Sequence, residues 1–278
     1  MKTGIVGLGL IGGSMAKSIK ARTGHTVFGA DRDEETMTLA RMCGAIDAPL
    51  TEENLASCNL LLIALRPGAA IEWVRSHAAA IAPGAIVVDL CGVKRPVVAA
   101  LAPLAAAYGF SYIGGHPMAG RERGGFVSAT DDLYAGASMI LTPDERTDLP
   151  LLETLKAFFL DVGFAHLTFS TPEEHDRIIA YTSQLAHITS SAYVRSPDAL
   201  LRRGFSAGSF QDMTRVARLD EEMWTELFIE DADFLTGQLE ILIGHLEEYL
   251  AALKKGDAAR LCTLLKDGRE KKAAAGGS

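Results

Sequence analysis

The chain has 278 residues, 48% of them hydrophobic, which bounds it to one large or two medium globular domains with enough apolar material for real cores. Its formal net charge of -8 argues against a nucleic-acid partner, and an anionic substrate must find its positive charge in a local pocket. No apolar run reaches membrane-spanning length, and the first 22 residues are interrupted by glycines in a way no signal peptide is, so a cytoplasmic protein with no membrane partner is expected.

Taken in order, Lys2 to Val6 reads as a strand, Gly7-Leu8-Gly9-Leu10-Ile11-Gly12 as a glycine-rich turn, Ser14 to Arg22 as a helix, and Thr26 to Ala30 as a second strand ending on Asp31. A GxGxxG motif alone is weak, but here it follows a strand, opens a helix and precedes an acid about twenty residues on, the context that dinucleotide binding requires. Gly7 permits the tight turn, Gly9 lets backbone approach a pyrophosphate beside Leu10 and Ile11, and Gly12 lets helix and strand pack closely, leaving a helix N-terminus facing the anion. Asp31 is placed to accept from the adenosine ribose hydroxyls and to repel a 2′-phosphate, which favours NAD over NADP. Arg32 works in the other direction, since its guanidinium is able to meet that phosphate.

Asp33 caps a helix to about Cys43, and Asn59 to Leu65 is a continuous apolar run of the kind expected for a parallel strand buried on both faces. Helices over Pro67 to Ile81, Lys94 to Tyr108 and Leu149 to Asp161 then alternate with strands at Ala85 to Asp89, Phe110 to Ile113, Ser138 to Leu141 and Ala165 to Phe169. The alternation predicts an α/β Rossmann domain, a doubly wound parallel sheet, over residues 1–170. Gly114 to Gly125 is expected as a loop at the carboxyl edge of the sheet, where such folds bind ligands.

At Thr171 the pattern changes. Thr171-Pro172-Glu173-Glu174 reads as a capping box with proline in the first helical position, and no convincing strand follows. Residues 171–278 are therefore expected to form an all-α domain, with helices from Pro172 to about Arg195, from Pro197, around Phe210 to Arg218, from Glu221 to about Lys255, and from Ala258 to about Lys272. A helix of about thirty-five residues exceeds what one small domain needs, so a homodimer through the C-terminal helices is expected. The tail from Lys271 onward is expected to fray.

Four cysteines, Cys43, Cys58, Cys91 and Cys262, lack metal-ligand or disulfide spacing, and no metal is expected. His116, in Gly114-Gly115-His116-Pro117-Met118-Ala119-Gly120, stands where a nicotinamide should end and is able to take a hydroxyl proton as hydride leaves the same carbon. The alternative is an imidazole that only bonds the loop backbone. Asp89-Leu90-Cys91-Gly92-Val93-Lys94 offers backbone amides or Lys94 to cofactor or substrate, or is simply a capped turn. Ser183 and His187 share a helix face, and Arg215 suits a carboxylate or a surface ion pair with Asp212.

Together, the GxGxxG start, Val93-Lys94, His116-Pro117-Met118-Ala119-Gly120, Leu133-Tyr134 with Leu141-Thr142-Pro143, Glu174-His175-Asp176, Ser183 to His187, and Asp212 to Ala217 with Trp224 resemble the prephenate/arogenate dehydrogenase family of tyrosine biosynthesis. The resemblance covers nearly the whole chain. It implies a Rossmann domain, a helical dimerisation domain, and oxidative decarboxylation of prephenate to 4-hydroxyphenylpyruvate with NAD(P)⁺ reduction. It also implies that His116 handles the substrate C4 hydroxyl, that Arg215 binds the ring carboxylate, and that Ser183 and His187 line the pocket; Lys94 and Gln184 are counted with them. The sequence departs from the family pattern at Gly92, where a serine is common, and at Gln184, where a histidine is common. Arogenate is the alternative substrate. A β-hydroxyacid dehydrogenase or imine reductase is a more distant reading, and the absence of lysine between Lys156 and Lys254 counts against the former; a non-catalytic NAD-sensing protein would need no base at His116.

Overall fold

A computed structural model describes residues 1–276. The chain divides into two compact units, Met1–Asp231 and the residues from Ala232 onward. The first unit is built on strands β1 (Lys2–Val6), β2 (Thr26–Ala30), β3 (Ala48–Pro49), β4 (Leu60–Ile63), β5 (Ile86–Asp89), β6 (Ser111–Pro117), β7 (Ser138–Thr142) and β8 (His166–Phe169), in the order β3-β2-β1-β4-β5-β6-β7-β8. The helices between them are α1 (Leu10–Arg22), α2 (Glu34–Met42), α3 (Glu52–Leu55), α4 (Pro67–His77), α5 (Arg95–Tyr108) and α6 (Leu149–Val162). The direction of winding reverses between β1 and β4, which places the ligand crevice at their carboxyl ends.

Alternation along β4 shows why the sheet is buried on both sides. Leu60 and Leu62 join one apolar cluster with Ile5, Met15, Ile19 and Phe159, while Leu61 and Ile63 join another with Val74, Val97 and Leu101. Each side chain of that run is therefore core, whichever way it points.

Two expectations change at β6. The sheet is not wholly parallel, because β7 runs antiparallel to β6, pairing His116 with Ile140 and Gly115 with Leu141. The chain returns from β6 to β7 without a crossover helix, so it can only come back in the opposite sense. The strand consequently extends through Pro117, and His116 lies on it rather than on a loop. β5 pairs β6 only as far as Gly114; β7 supplies the ladder that the apolar pattern of Phe110 to Ile113 could not foretell. The two glycines before His116 are required by close packing. A Cβ at Gly115 would stand 2.7 Å from the Asp89 carbonyl oxygen, and one at Gly114 would collide with Thr142 and press on the Lys94 stem.

After β8, no strand follows among the described residues. α7 (Pro172–Ile179) and α8 (Leu185–Val194) are joined through a π-helical turn at Ala180–Gln184. Only half of the expected capping box forms: the Thr171 hydroxyl accepts from the Glu174 N–H, but the Glu174 carboxylate turns to Ser170. α9 (Gly208–Thr214) is shorter than expected, and α10 (Glu221–Glu230) ends at Asp231, whose buried carboxylate pairs with Arg95 at 2.8 Å. The single helix expected over Glu221 to Lys255 is thereby broken, since a side chain drawn to Arg95 fixes the backbone of Asp231 outside helical geometry.

The second unit is a hairpin of α11 (Ala232–Lys255) and α12 (Ala258–Ala275), turning at Gly256, which has φ +64°, and capped by Asp257 on the Arg260 N–H. α12 continues through Ala275, so the tail expected to fray is helical to that point; its last two residues lie outside the described residues. Ile241, Leu246, Leu250, Leu253 and Leu265 remain exposed on these helices. Among the described residues no helix is long and apolar enough to cross a membrane.

The end of β5 is held by a buried ion pair. Lys94 and Asp89 are both fully buried; the ammonium is bonded to Asp89 and, at 2.6 Å, to the Gly115 carbonyl, while Tyr112 donates to the second Asp89 oxygen at 2.7 Å. Asp89→Asn removes the countercharge and leaves the ammonium enclosed, so urea denaturation should show a loss of about 3–5 kcal/mol. A loss below about 1 kcal/mol would mean that Lys94 finds another partner.

Candidate active site

The glycine turn has the geometry of a phosphate cradle. Gly7 takes φ +84°, and a Cβ on Gly12 would strike the Gly7 carbonyl, so both positions are closed to larger residues. Nothing lies within 4 Å of a Cβ built on Gly9, so the turn faces open space there. α1 has no side-chain cap and no acid in its first turn, leaving the N–H groups near Leu10 and Ile11 for an anion. Asp31 accepts from the Leu8 N–H at 2.7 Å and the Asp33 N–H at 3.0 Å, and thus ties the turn to the end of β2. Its two oxygens retain lone pairs for ribose hydroxyls. Arg32 is exposed beside it. Tyr134 donates to the Ile11 carbonyl at 2.6 Å, and Ser14 accepts from the Thr130 N–H, so the segment after β6 lies on α1.

Two strands away from β4, His116 is half-buried. Its Nδ1 is 2.8 Å from Nε2 of His175, and Nδ1 of His175 is 2.7 Å from Oδ1 of Asp176. Asp176 is fully buried and also accepts from the backbone N–H groups of Lys94 and Arg95, at 2.7 and 2.9 Å, and from Arg95 Nε at 3.2 Å. One carboxylate therefore caps α5, whose own N-terminal residue supplies no side-chain cap, and holds an imidazole in place. Burial works against its charge, but the donors from His175, Arg95 and Lys94 outweigh that and hold the carboxyl below its usual range. Burial, then the neighbouring His175 and Lys94, drives His116 well below the ordinary imidazole value, so it is neutral at physiological pH. His175 is lowered as well, burial exceeding the pull of Asp176.

The remaining candidate side chains lie on or beside α8, α9 and α10. His187 bonds the Ser183 carbonyl through Nδ1 at 2.8 Å, leaving Nε2 without a proton, and stacks on Trp224 with ring centroids 4.0 Å apart. Burial and, more weakly, the Arg215 charge lower its pKa. Gln184 is buried, yet neither its amide nitrogen nor its oxygen has a partner. Such a group costs about 1–3 kcal/mol unless a ligand or water completes it, and its place in a π-helical turn is typical of functional sites. Arg215 is exposed and forms no ion pair among the described residues, Asp212 included, so its fork is free for an anion.

Lys94 behaves differently from the sequence reading. Its ammonium is fully buried between Asp89 and the Gly115 carbonyl, so its donors are spent on the backbone next to His116 rather than presented at the surface. Cys91 is buried with its thiol directed at the Leu65 carbonyl, and burial together with Asp89 pushes its pKa well above the usual thiol value. At Gly92, an added Cβ would stand 3.3 Å from Leu227 of α10, which covers the position where a serine was looked for. The residues that sequence reasoning left out of the site are His175 and Asp176. Their signal was present: a histidine and an acid adjacent at a helix start, inside the Glu174-His175-Asp176 segment.

The family model described as "Prephenate dehydrogenase, nucleotide-binding domain" matches residues 15–167, and that described as "Prephenate dehydrogenase, dimerization domain" matches residues 171–267. The prephenate dehydrogenase of Lactococcus lactis is 27% identical over 274 residues, covering 96% of this chain and 75% of its own. The crystal structure of prephenate dehydrogenase from A. aeolicus in complex with hydroxyphenyl propionate and NAD⁺ is similar with a TM-score of 0.86 at 27% identity, over 99% of this chain and 98% of that one. Arogenate dehydrogenase from Synechocystis is similar with a TM-score of 0.82 at 26% identity, over 99% of this chain and all of that one.

Because Asp31 anchors the glycine turn and is expected to face the ribose, Asp31→Ala should raise the Kd for NAD⁺ by roughly 10- to 100-fold, the worth of a charge-assisted hydrogen bond. Calorimetric titration of the unliganded protein checks this. An unchanged Kd would remove Asp31 from the cofactor site.

Proposed function

The chain belongs to the prephenate dehydrogenase family, and from that premise we propose that it converts prephenate to 4-hydroxyphenylpyruvate by oxidative decarboxylation, with NAD⁺ as oxidant and His116 as the base. The observation that carries this reading is a neutral, half-buried imidazole at the edge of the sheet, with one nitrogen committed to His175 and the other left for a ligand. When bound at the turn from Gly7 to Gly12, NAD⁺ supplies the hydride acceptor. His116 Nε2 receives the C4 hydroxyl proton as the C4–H bond breaks, and loss of the ring carboxylate as CO₂ is driven by aromatisation. The protein therefore needs mainly orientation and one base.

Arg215 is assigned the ring carboxylate, because it is an unpaired guanidinium in an acidic protein and a bidentate fork suits that group. Gln184, with both polar atoms unsatisfied, is assigned to the substrate together with Ser183 and His187. Lys94 is a positioning residue acting through Asp89 and Gly115. The domain boundary is placed at 170/171, a reading supported by the interval between the two family segments. A homodimer is proposed through the C-terminal helices: the second segment resembles a dimerisation domain, and Ile241, Leu246, Leu250 and Leu265 are exposed. The site uses a small anionic metabolite and a diffusible cofactor, and we place the enzyme in the cytoplasm.

Mixing the protein with NAD⁺ and either prephenate or arogenate, and following reduced nicotinamide, tests the activity; turnover of arogenate alone would move the reading to that substrate, and turnover of neither would end it. His116→Asn should lower kcat by roughly 10²- to 10⁴-fold. The wild-type rate should be flat near neutrality and fall only well below pH 6.5, where the depressed imidazole takes up a proton, and the Asn variant should lack that limb. Arg215→Lys keeps the charge but loses the fork, so KM for prephenate should rise by about tenfold or more; wild-type KM would place the carboxylate elsewhere.

A further inference from the structure

We propose that His175 and Asp176 are positioning residues that fix His116 in the tautomer able to act as base, forming a carboxylate–imidazole–imidazole relay. The inference rests on the reading of His116 given above and extends it to two residues that touch neither substrate nor cofactor.

The argument is one of hydrogen-bond parity. An ionised carboxylate only accepts, so at 2.7 Å from Asp176 the Nδ1 of His175 must carry the proton. Neutral His175 then has a bare Nε2, which can only accept. That nitrogen lies 2.8 Å from Nδ1 of His116, so Nδ1 of His116 carries the proton and Nε2 is left bare. Each assignment follows from the one before it, beginning at the carboxylate. Without the chain, a neutral imidazole divides between two tautomers, only one of which presents its lone pair to a ligand.

The relay is built from rigid parts. His116 is held in a strand paired on β7, His175 and Asp176 occupy the first turns of α7, and Asp176 is clamped by two backbone N–H groups at the start of α5 and by Arg95. His175 and Asp176 are both buried, so water does not compete for these bonds. When His116 Nε2 forms its new N–H bond to the substrate proton, no bond within the relay breaks. The charge gained is shared through the His116 Nδ1–H bond to His175, whose Nδ1–H faces the Asp176 carboxylate. This is the logic by which a buried aspartate orients a catalytic histidine, extended by one imidazole.

The test uses the full-length protein labelled with ¹⁵N-histidine, His116 being assigned by the signal missing in His116→Asn. Nitrogen shifts should show His116 in the Nδ1–H form. In His175→Leu that preference should be lost, and kcat should fall by roughly 10- to 100-fold, a part of the general-base contribution, with KM for prephenate and Kd for NAD⁺ changed by less than about threefold. His175→Gln places a carboxamide oxygen near the lost Nε2 and should restore part of both the tautomer preference and kcat. Circular dichroism and the NAD⁺ Kd show whether the Leu variant is folded; if it is not, the wild-type tautomer and the Gln variant decide the matter. A wild-type His116 in the Nε2–H form, or a folded Leu variant with unchanged tautomer and kcat, overturns the relay. Failure of the underlying reading has a different signature: His116→Asn would keep full kcat, while the tautomer measurement, which needs no substrate, would still decide the relay.

Discussion

Asp176 reaches from the first turns of α7 to the start of α5, and its two oxygens take hydrogen bonds from Lys94, Arg95 and His175. A buried carboxylate is costly to desolvate, and it is tolerated only when its lone pairs are met by donors of good geometry. Here each donor belongs to a different task. The two backbone N–H groups are orphans of a helix that has no cap of its own. The Arg95 side chain continues to Asp231, where α10 ends. The fourth donor is the His175 imidazole behind His116. One charge thus couples a helix of the sheet layer, α5, the first helix of the all-helical segment, and the strand edge that carries His116.

A second buried charge works beside it. Lys94 is extended under Gly114 and Gly115, its ammonium shared between Asp89 and the Gly115 carbonyl. The peptide before His116 is therefore held from below, while β7 holds the residue itself from the side. An imidazole carried on a paired strand, and packed against two buried ionic anchors, has little freedom to move. Such pre-organisation suits a reaction whose driving force is supplied by aromatisation.

The side chains on and beside α8 and α9 have the complementary character. Among the described residues Arg215 is exposed and forms no ion pair, Gln184 is buried without partners, and His187 has a bare nitrogen. At the sheet edge the charged groups Asp89, Lys94 and Asp176 are met by internal hydrogen bonds, whereas the α8 and α9 side is left with unspent ones. This division is what a site needs if its catalytic group is to be fixed by the protein and its substrate is to be fixed by the pocket. In a chain of net charge -8, an anion has to be held by local positive charge, and a guanidinium such as that of Arg215 suits that need.

Much of this was legible in the residues. The phosphate turn, Asp31, the alternating core runs and the change at Thr171 depend on local rules, namely glycine geometry, side-chain period and proline-led capping, and those rules act within a few residues of one another. His116 and Arg215 stood out as candidates, because a histidine in a glycine-rich segment and an arginine beside a helix are conspicuous by type; their roles are proposals. What the sequence could not decide were events between segments far apart in the chain. The antiparallel return of β7 turned an expected loop into a strand; Asp231 broke an expected long helix because its partner, Arg95, lies 136 positions away; and Lys94, which looked like a ligand for substrate, was drawn inward by Asp89. His175 and Asp176 were visible as residues but not as a relay, since only folding brings them within hydrogen-bonding distance of His116 and of the α5 N-terminus. Backbone conformation is encoded locally, but the pairing of buried charges depends on which donors the tertiary fold places within about 3 Å, and no pattern in the sequence carries that distance.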